Sequence, residues 1–159
     1  MTMTDDRADR PNKLPWPPML MVATALAAIG LGMILPLHLF EAWWLTLPGV
    51  LLVAIGLGLD VWAITTMRRA ATNVLPHRAA DQLVTSGPFR FSRNPIYLGN
   101  SLLLLGIGLA GGNAWFIVGA LVSALLVDRL AIRREEQHLA ARFGAAWTAY
   151  AQQTPRWLF

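Results

Sequence analysis

Four long apolar runs, separated by short polar or glycine-rich segments, dominate the sequence. The runs cover about residues 19–39, 45–67, 95–110 and 114–130, and they contain almost no charged side chains. A helix of about 20 apolar residues is long enough to cross the ~30 Å hydrocarbon core of a bilayer. The pattern therefore predicts an all-α, polytopic membrane protein with about four transmembrane helices.

The third run differs from the others in its length. Its 16 residues, 95–110, correspond to about 24 Å of helix, which is short for a core of about 30 Å. We expect this helix to lie in a thinned or protein-lined region. Gly111, Gly112 and Asn113 form an uncharged turn, so the third and fourth runs are expected to form a hairpin. Pro36 is expected to kink the end of the first helix.

Apolar and aromatic side chains recur at helical spacing beyond the fourth run. They are Leu139, Phe143, Trp147 and Tyr150. This spacing predicts one amphipathic helix on the cytoplasmic membrane surface, which ends before Pro155. Residues 19–159 are expected to form a single membrane domain behind a polar cytoplasmic tail, 1–18, in which no signal-peptide pattern is evident.

Basic side chains lie beside the apolar runs rather than in a patch of their own. The chain is 55% hydrophobic and 14% charged, with a net charge of +4. In the predicted topology all 13 basic residues fall on one side of the membrane: Arg7, Arg10, Lys13, Arg68, Arg69, Arg78, Arg90, Arg93, Arg129, Arg133, Arg134, Arg142 and Arg156. The positive-inside rule places that side and both termini in the cytoplasm, and a bacterial inner membrane is the expected location. Membrane lipids, and no nucleic acid, are the expected partners of these charges.

The residues that the sequence lacks limit its chemistry. There is no cysteine, which excludes thiolate metal sites and Cys nucleophiles. The three histidines, His38, His77 and His138, lie on different segments, so we expect no metal site and no Ser-His-Asp hydrolase. Gly-x-Gly occurs in three runs, at 30–32, 56–58 and 106–108. No strand precedes any of them, so we interpret these glycines as sites of close helix approach.

Polar side chains from two segments converge at the cytoplasmic mouth of the predicted hairpin. Arg93 and Asn94 precede the third run, whereas Glu135 and Glu136 follow the fourth. Polar groups that meet beside a short helix, at the depth where water meets lipid, indicate a small-molecule pocket.

Structural interpretations of these polar residues remain open at this point. Asn94, directly before a proline, fits an N-cap whose side chain satisfies backbone donors. Arg133 and Arg134 are close enough in sequence to pair with the two adjacent acids at the surface. Asp60 is a functional candidate because it lies inside the second run, although its side chain can also extend to the interface. Asp128 is ambiguous in the same way.

Two motifs in the C-terminal half carry more information than composition does. They are Leu83-Val84-Thr85-x-Gly87-Pro88-Phe89-Arg90-x-x-Arg93-Asn94-Pro95-x-Tyr97-Leu98-Gly99, preceded by Thr72-x-x-x-Pro76, and Arg134-Glu135-Glu136-x-x-Leu139-x-x-x-Phe143-Gly144, followed by Tyr150 and Pro155-Arg156. Over residues 72–156 the chain resembles the isoprenylcysteine carboxyl methyltransferase and phospholipid methyltransferase superfamily. The eukaryotic enzymes usually have histidine at the position of Asn94, and asparagine cannot titrate.

The resemblance implies an integral membrane enzyme that transfers a methyl group from S-adenosylmethionine. It implies a cofactor pocket lined by Arg93, Asn94, Tyr97, Leu98, Gly99, Glu135 and Glu136. Among these, Arg93, Asn94 and Glu136 are expected to be catalytic. We match the cofactor's ammonium group to Glu136, its carboxylate to Arg93 and its sulfonium to the ring of Tyr97.

The expected methyl acceptor is a lipidic or hydrophobic small molecule. It is an isoprenylcysteine-like carboxylate, an amine headgroup or a small hydrophobic thiol. Two alternatives remain, namely an NADPH-dependent enzyme similar to membrane sterol reductases and a non-catalytic membrane binding module. The sequence leaves the acceptor and the oligomeric state open.

Overall fold

A computed structural model describes residues 16–37, 43–74 and 80–158 of the chain. Most of the predicted N-terminal tail, residues 38–42 with Glu41, and residues 75–79 with Pro76 and Arg78 lie outside this part. In chain order the described elements are α1 (Trp16–Ile34), a 3₁₀ turn (Trp43–Leu45), α2 (Thr46–Arg69), a second 3₁₀ turn (Gly87–Arg90), α3 (Pro95–Ala110), α4 (Ala114–Val127), a π-helical turn (Asp128–Ile132), α5 (Arg133–Phe143) and α6 (Ala145–Gln153).

Three helical stretches are long and apolar enough to cross a membrane. They are Pro17–Ile34, Trp43–Arg69 and Ala114–Phe143. The helix α3 is apolar but has only 16 residues, as the sequence predicted. Large apolar side chains point away from the protein on α1 and α2, where a bilayer would cover them. The predicted all-α polytopic membrane fold is confirmed.

The first helix begins and ends earlier than the sequence predicted. Pro17 and Pro18 lie in its first turn, where the missing backbone N–H groups would have no helical partner in any case. The last helical hydrogen bond joins the Leu35 N–H to the Leu31 carbonyl at 2.7 Å. The predicted kink at Pro36 is wrong. Proline disfavours helical geometry in the residue before it, so the helix ends before Pro36 instead of bending at it.

Glycines bring α2 and α3 into close antiparallel contact. A Cβ atom on Gly56 would lie 2.7 Å from the carbonyl oxygen of Gly99, and one on Gly106 would lie 2.6 Å from that of Gly49. Backbones approach this closely in membrane helices only where both helices present small residues. The contact fixes the start of α3, which carries the first motif, against the end of α2.

The prediction of close approach is confirmed for most, but not all, of the Gly-x-Gly residues. Gly32 packs on the side chain of Asn113, and Gly108 packs on Phe116 and Ile117. By contrast, a Cβ atom on Gly30 or Gly58 would meet no atom within 4 Å. The prediction is wrong for these two glycines, which face open space.

Asn113 joins α4 to α1 at the end of the bundle opposite the motifs. Its Oδ1 accepts a hydrogen bond of 3.0 Å from the Trp115 N–H, as an N-cap does. Its Nδ2 donates to the Ala28 carbonyl at 3.1 Å. The Trp115 indole donates to the Leu35 carbonyl at 2.8 Å. These bonds hold α1 beside α4, so the start of α1 lies at the same end as the two motifs.

The fourth predicted helix continues beyond residue 130 without a break. A π-helical turn, Asp128–Ile132, joins α4 directly to α5. Ala131 and Ile132 in this turn have no exposed surface. Because a π turn contains an extra residue, it rotates the faces of α5 relative to α4. Such turns occur frequently at functional sites.

The prediction of a single C-terminal surface helix is wrong. Gly144 has a φ of +50°, a backbone conformation that favours glycine, and it separates α5 from α6. Trp147 and Tyr150 are only 7% and 9% exposed. They pack into the protein because the break at Gly144 turns α6 back towards the 3₁₀ turn before α3, where the Tyr150 hydroxyl donates to the Phe89 carbonyl at 2.7 Å.

Gly56 and Gly58 of α2 allow a test of the close contact between α2 and α3. We expect Gly56→Ala to destabilise the protein by about 1–3 kcal/mol, because the new methyl group collides with the backbone of α3. We expect Gly58→Ala to leave stability unchanged or to raise it by up to about 1 kcal/mol, as alanine favours helix. Thermal unfolding in detergent measures both. Equal effects of the two substitutions would contradict the close contact.

Candidate functional site

The two sequence motifs meet where α3 and α5 begin. The Tyr97 hydroxyl donates to Glu135 Oε1 at 2.8 Å. Arg93 Nη1 lies 3.1 Å from Glu136 Oε1. The predicted convergence of Arg93 and Tyr97 with the two acids is confirmed, and Glu136 and Arg93 retain only 14% and 15% of their side-chain exposure.

The Arg93 guanidinium is held on several sides. Its central carbon lies 5.8 Å from the ring centroid of Trp147, a distance at which a cation is attracted to an indole face. Its backbone N–H donates to the Pro155 carbonyl at 2.9 Å. Its Nε is buried and has no hydrogen-bond partner within the described chain. A buried donor without a partner is costly, so a ligand oxygen would stabilise it.

Asn94 occupies the position before α3 but does not cap the helix with its side chain. No side-chain cap bond is present there. Instead, Asn94 Nδ2 donates to the Arg156 carbonyl at 3.1 Å. Ser92 Oγ donates to the same carbonyl at 3.1 Å and accepts from the Asn94 N–H at 3.1 Å. The capping interpretation is therefore wrong for the side chain, which tethers the C-terminal segment.

Glu136 does not form the ion pair with Arg133 or Arg134 that the sequence left open. Glu136 does not pair with its neighbours in sequence but with Arg93 and with Arg156, whose Nη2 lies 2.5 Å from Oε2. Arg133 pairs with Asp128 at 3.2 Å, and Asp128 also accepts from Arg156 Nη1 at 3.3 Å. Asp128 thus belongs to the ion-pair network around the site.

A cavity of about 360 Å³ lies between α1, α2, α3 and α5, within the range typical of small-molecule pockets. Its polar wall consists of Asn73, Arg93, Asn94, Tyr97, Asn100, Glu135, Glu136 and His138. Its apolar and aromatic wall includes Pro17, Met21, Ile64, Met67, Ile96, Phe89, Leu139 and Trp147. The cavity is therefore amphipathic, with charge on α5 and at the start of α3, and hydrocarbon on α1 and α2.

The cavity lining includes Asn100, His138 and Trp147, which the sequence did not place in the site. Trp147 was assigned to the membrane surface because the break at Gly144 was overlooked. Asn100 and His138 each follow a predicted site residue, Tyr97 or Glu135, by three positions. Residues three apart lie on one helix face, so this spacing was the signal that would have found both.

Leu98, Gly99 and Asp60 lie outside the cavity lining. Gly99 is buried against α2, where a Cβ atom would collide with Asp60 Oδ1. Asp60 Oδ1 is buried and lacks a hydrogen-bond partner among the described residues. Oδ1 of Asp60 thus packs on α3, and the extension of this side chain to the interface stays a prediction.

Groups behind the cavity have pKa values that keep them protonated. Hydrogen bonding to Glu136 raises the pKa of the Arg156 guanidinium, and the charges of Glu136 and Asp128 act in the same direction. Burial raises the pKa of the Tyr150 phenol. The arginine therefore stays positive and the phenol stays a hydrogen-bond donor in neutral solution.

Fold and site together define a small helical membrane protein with an amphipathic pocket at one end of its bundle. The family model for phospholipid methyltransferase matches residues 44–146, which include α2, α3, α4 and α5 with both motifs. The chain belongs to this family.

The chain is similar to one named methyltransferase and to two named metal-resistance proteins. Protein-S-isoprenylcysteine O-methyltransferase B of Arabidopsis thaliana is 30% identical over 120 residues, which are 72% of this chain and 59% of that protein. Cobalt-zinc-cadmium resistance protein CzcN of Cupriavidus metallidurans is 36% identical over 66% of this chain and 48% of its own length. Nickel-cobalt-cadmium resistance protein NccN of Alcaligenes xylosoxydans xylosoxydans is 30% identical, over 65% and 48%. The chain spans about half the length of these relatives.

The hydroxyl of Tyr150 provides a test of how α6 is attached to the site. We expect Tyr150→Phe to lower stability by about 1–2 kcal/mol, because the Phe89 carbonyl loses its donor. Thr148→Val is the matched control on α6, since that hydroxyl is exposed and bonds only within the helix. Thermal unfolding in detergent compares the two, and an equal, small effect of both would argue against a specific tether.

Proposed function

We propose that this protein is an S-adenosylmethionine-dependent methyltransferase whose cofactor occupies the cavity between α1, α2, α3 and α5. The observation that carries the proposal is the Arg93 guanidinium, which lies over Trp147, pairs with Glu136 and retains a buried Nε donor with no hydrogen-bond partner among the described residues. Membership of the phospholipid methyltransferase family supports the same conclusion.

The groups in the cavity fit the chemistry of this cofactor. Arg93 offers its Nε donor to the carboxylate, since guanidinium–carboxylate contacts are strong and directional. Glu135 and Glu136 supply negative charge for the ammonium group, and Glu136 also orients Arg93. The aromatic rings of Trp147 and Tyr97 lie where they attract a sulfonium cation. When bound, the cofactor supplies a methyl group that is already electrophilic.

The protein's part in such a reaction is to bind, orient and exclude water. Charge is neutralised when a methyl group moves from a sulfonium to an anionic nucleophile, and it is spread over both centres when the nucleophile is neutral. In either case a dry and well-ordered site accelerates the step. Asn94 does not titrate, and in the structure it is tied to the Arg156 carbonyl. Its role in this proposal is to position the start of α3, and no proton transfer is assigned to it.

The apolar wall of the cavity indicates a hydrophobic acceptor. Met21 of α1 and Ile64 and Met67 of α2 line the cavity on helices that contribute no charged residue to it. A molecule dissolved in the membrane would present its reactive group from this side towards Tyr97 and Asn100. Its reactive group is a carboxylate, an amine or a thiol. The Arabidopsis relative is named as an O-methyltransferase of isoprenylcysteine.

We place the cavity on the cytoplasmic side of a bacterial inner membrane. Arg68 and Arg69 end α2, Arg90 and Arg93 precede α3, and basic residues continue through α5, all at the cavity end of the bundle. The positive-inside rule assigns such an end to the cytoplasm. S-adenosylmethionine is polar and would then enter from water, whereas the acceptor enters from lipid.

Ligand-dependent stability tests the cofactor assignment. We expect S-adenosylhomocysteine to raise the unfolding temperature of the purified protein, in a concentration-dependent way, because it binds only the folded state. Linkage gives about 2.7 kcal/mol at 100 times the dissociation constant. NADPH is the control and should have no effect. Stabilisation by NADPH alone would support a reductase instead.

Two tyrosines allow a matched test of the cavity itself. Tyr97→Phe removes the hydroxyl that bonds Glu135 inside the cavity, so we expect roughly threefold to tenfold weaker binding of S-adenosylhomocysteine. Tyr150→Phe removes a hydroxyl outside the lining and should leave the affinity within about twofold. Isothermal titration of the detergent-purified variants provides the comparison. Equal losses would mean that the ligand binds elsewhere.

The acceptor is identified by transfer of label. The protein is incubated with methyl-labelled S-adenosylmethionine and a bacterial lipid and small-molecule extract, and labelled products are separated by mass. We expect label in a hydrophobic product that is absent with the Tyr97→Ala variant. Cofactor binding without any labelled product would favour a non-catalytic binding module.

A further inference from the structure

The segment after α6 lies across the start of α3. The Pro155 carbonyl accepts a hydrogen bond of 2.9 Å from the Arg93 N–H. The Arg156 carbonyl accepts from Ser92 Oγ and from Asn94 Nδ2, both at 3.1 Å. Three consecutive residues of the first motif are thus bonded to two backbone carbonyls of the C-terminal segment. This arrangement fixes where the Arg156 side chain begins.

The Arg156 side chain binds Glu136 through two nitrogens. Nη2 lies 2.5 Å from Oε2, and Nε lies 3.1 Å from Oε1. Nη1 lies 3.3 Å from Asp128 Oδ1. A bidentate guanidinium–carboxylate contact restrains both the position and the plane of the carboxylate. Arg156 therefore sets the orientation of Glu136.

Glu136 in turn contacts Arg93, which lines the cavity. Its Oε1 is shared between Arg156 and Arg93 Nη1. Arg93 reaches the cavity wall, as does Glu136, whereas Arg156 does not. Arg93 has Nη1 on Glu136 and its central carbon over the Trp147 ring, and these two contacts restrain the guanidinium. Its Nε is buried and has no hydrogen-bond partner among the described residues.

Charge balance gives a second reason for the presence of Arg156. Without it, Glu136 would be a largely buried carboxylate with Arg93 as its single guanidinium partner in the described site. Such an acid would compete with a ligand for the Arg93 donors, because a buried charge is costly until it is fully hydrogen-bonded. A second guanidinium satisfies Glu136 and leaves Arg93 able to bind an anionic group in the cavity.

We propose that Arg156 is a positioning residue of the ligand site, which acts through Glu136 to orient the Arg93 guanidinium towards the carboxylate of the cofactor. This inference rests on the proposed function, since it assumes that the cavity holds an amino-acid-bearing cofactor. It assigns to the C-terminal segment a role in affinity for that cofactor, in addition to its contacts with α3.

Substitutions of two arginines separate positioning from a general effect of charge. The affinity of the full-length protein for S-adenosylhomocysteine is measured by titration in detergent. We expect Arg156→Gln to weaken binding about tenfold or more, within the range of couplings between contacting residues. Arg156→Lys restores charge without the bidentate contact, so it should recover part of the loss. Arg133→Gln removes an equal charge from the same network without touching Glu136, and should stay within about twofold.

A double-mutant cycle distinguishes positioning from a merely structural role. If Arg156 acts through Glu136, Arg156→Gln should cause no further loss of affinity once Glu136→Gln is present. Additive losses, or equal losses in Arg156→Gln and Arg133→Gln, would overturn the inference. If Arg156→Gln does not fold, the same cycle is run with Arg156→Lys.

The wild-type protein separates this inference from the proposed function. If the wild type binds S-adenosylhomocysteine and Arg156→Gln binds it equally well, only the positioning role is overturned. If the wild type does not bind S-adenosylhomocysteine, the cofactor assignment fails and the positioning role fails with it. Unfolding temperatures of the ligand-free variants show that each is folded before its affinity is compared.

Discussion

The Glu136 carboxylate, held between Arg93 and Arg156, is the interaction on which the rest of the site depends. It lies at the end of an apolar bundle, where a charge without partners would be costly, so removal of either arginine leaves a buried acid only partly compensated. Through these two arginines the start of α3, the helix α5 and the segment after α6 are bound to one side chain. The position of the cavity follows from that connection.

Two features of the helices bring these charges together. Glycine contacts set α3 directly against α2, so that the first motif lies beside the end of α2. The π-helical turn between α4 and α5 then rotates α5 so that Glu135 and Glu136 meet Tyr97 and Arg93. Neither feature binds a ligand, yet both determine the shape of the wall that would bind one.

Asn94 takes the position at which the eukaryotic enzymes usually have histidine, and it has a structural role here. A titratable side chain at this position would be able to exchange protons with a ligand, whereas an amide only donates and accepts hydrogen bonds. Here the amide binds the Arg156 carbonyl and so connects the cavity to the C-terminal segment. A reaction that relies on orientation and dryness, as methyl transfer from a sulfonium does, is compatible with such a residue.

The sequence alone determined the spanning helices, the short third helix and the cluster of basic charge. Hydrophobic length and helical spacing are local properties, so 95–110 was predicted with its observed limits. The motifs likewise indicated that Arg93 would meet Glu136. The pairing of Glu136 with Arg156 and the place of Trp147 in the cavity were decided by tertiary structure. These features depend on distances between side chains far apart in the chain, which periodicity does not encode.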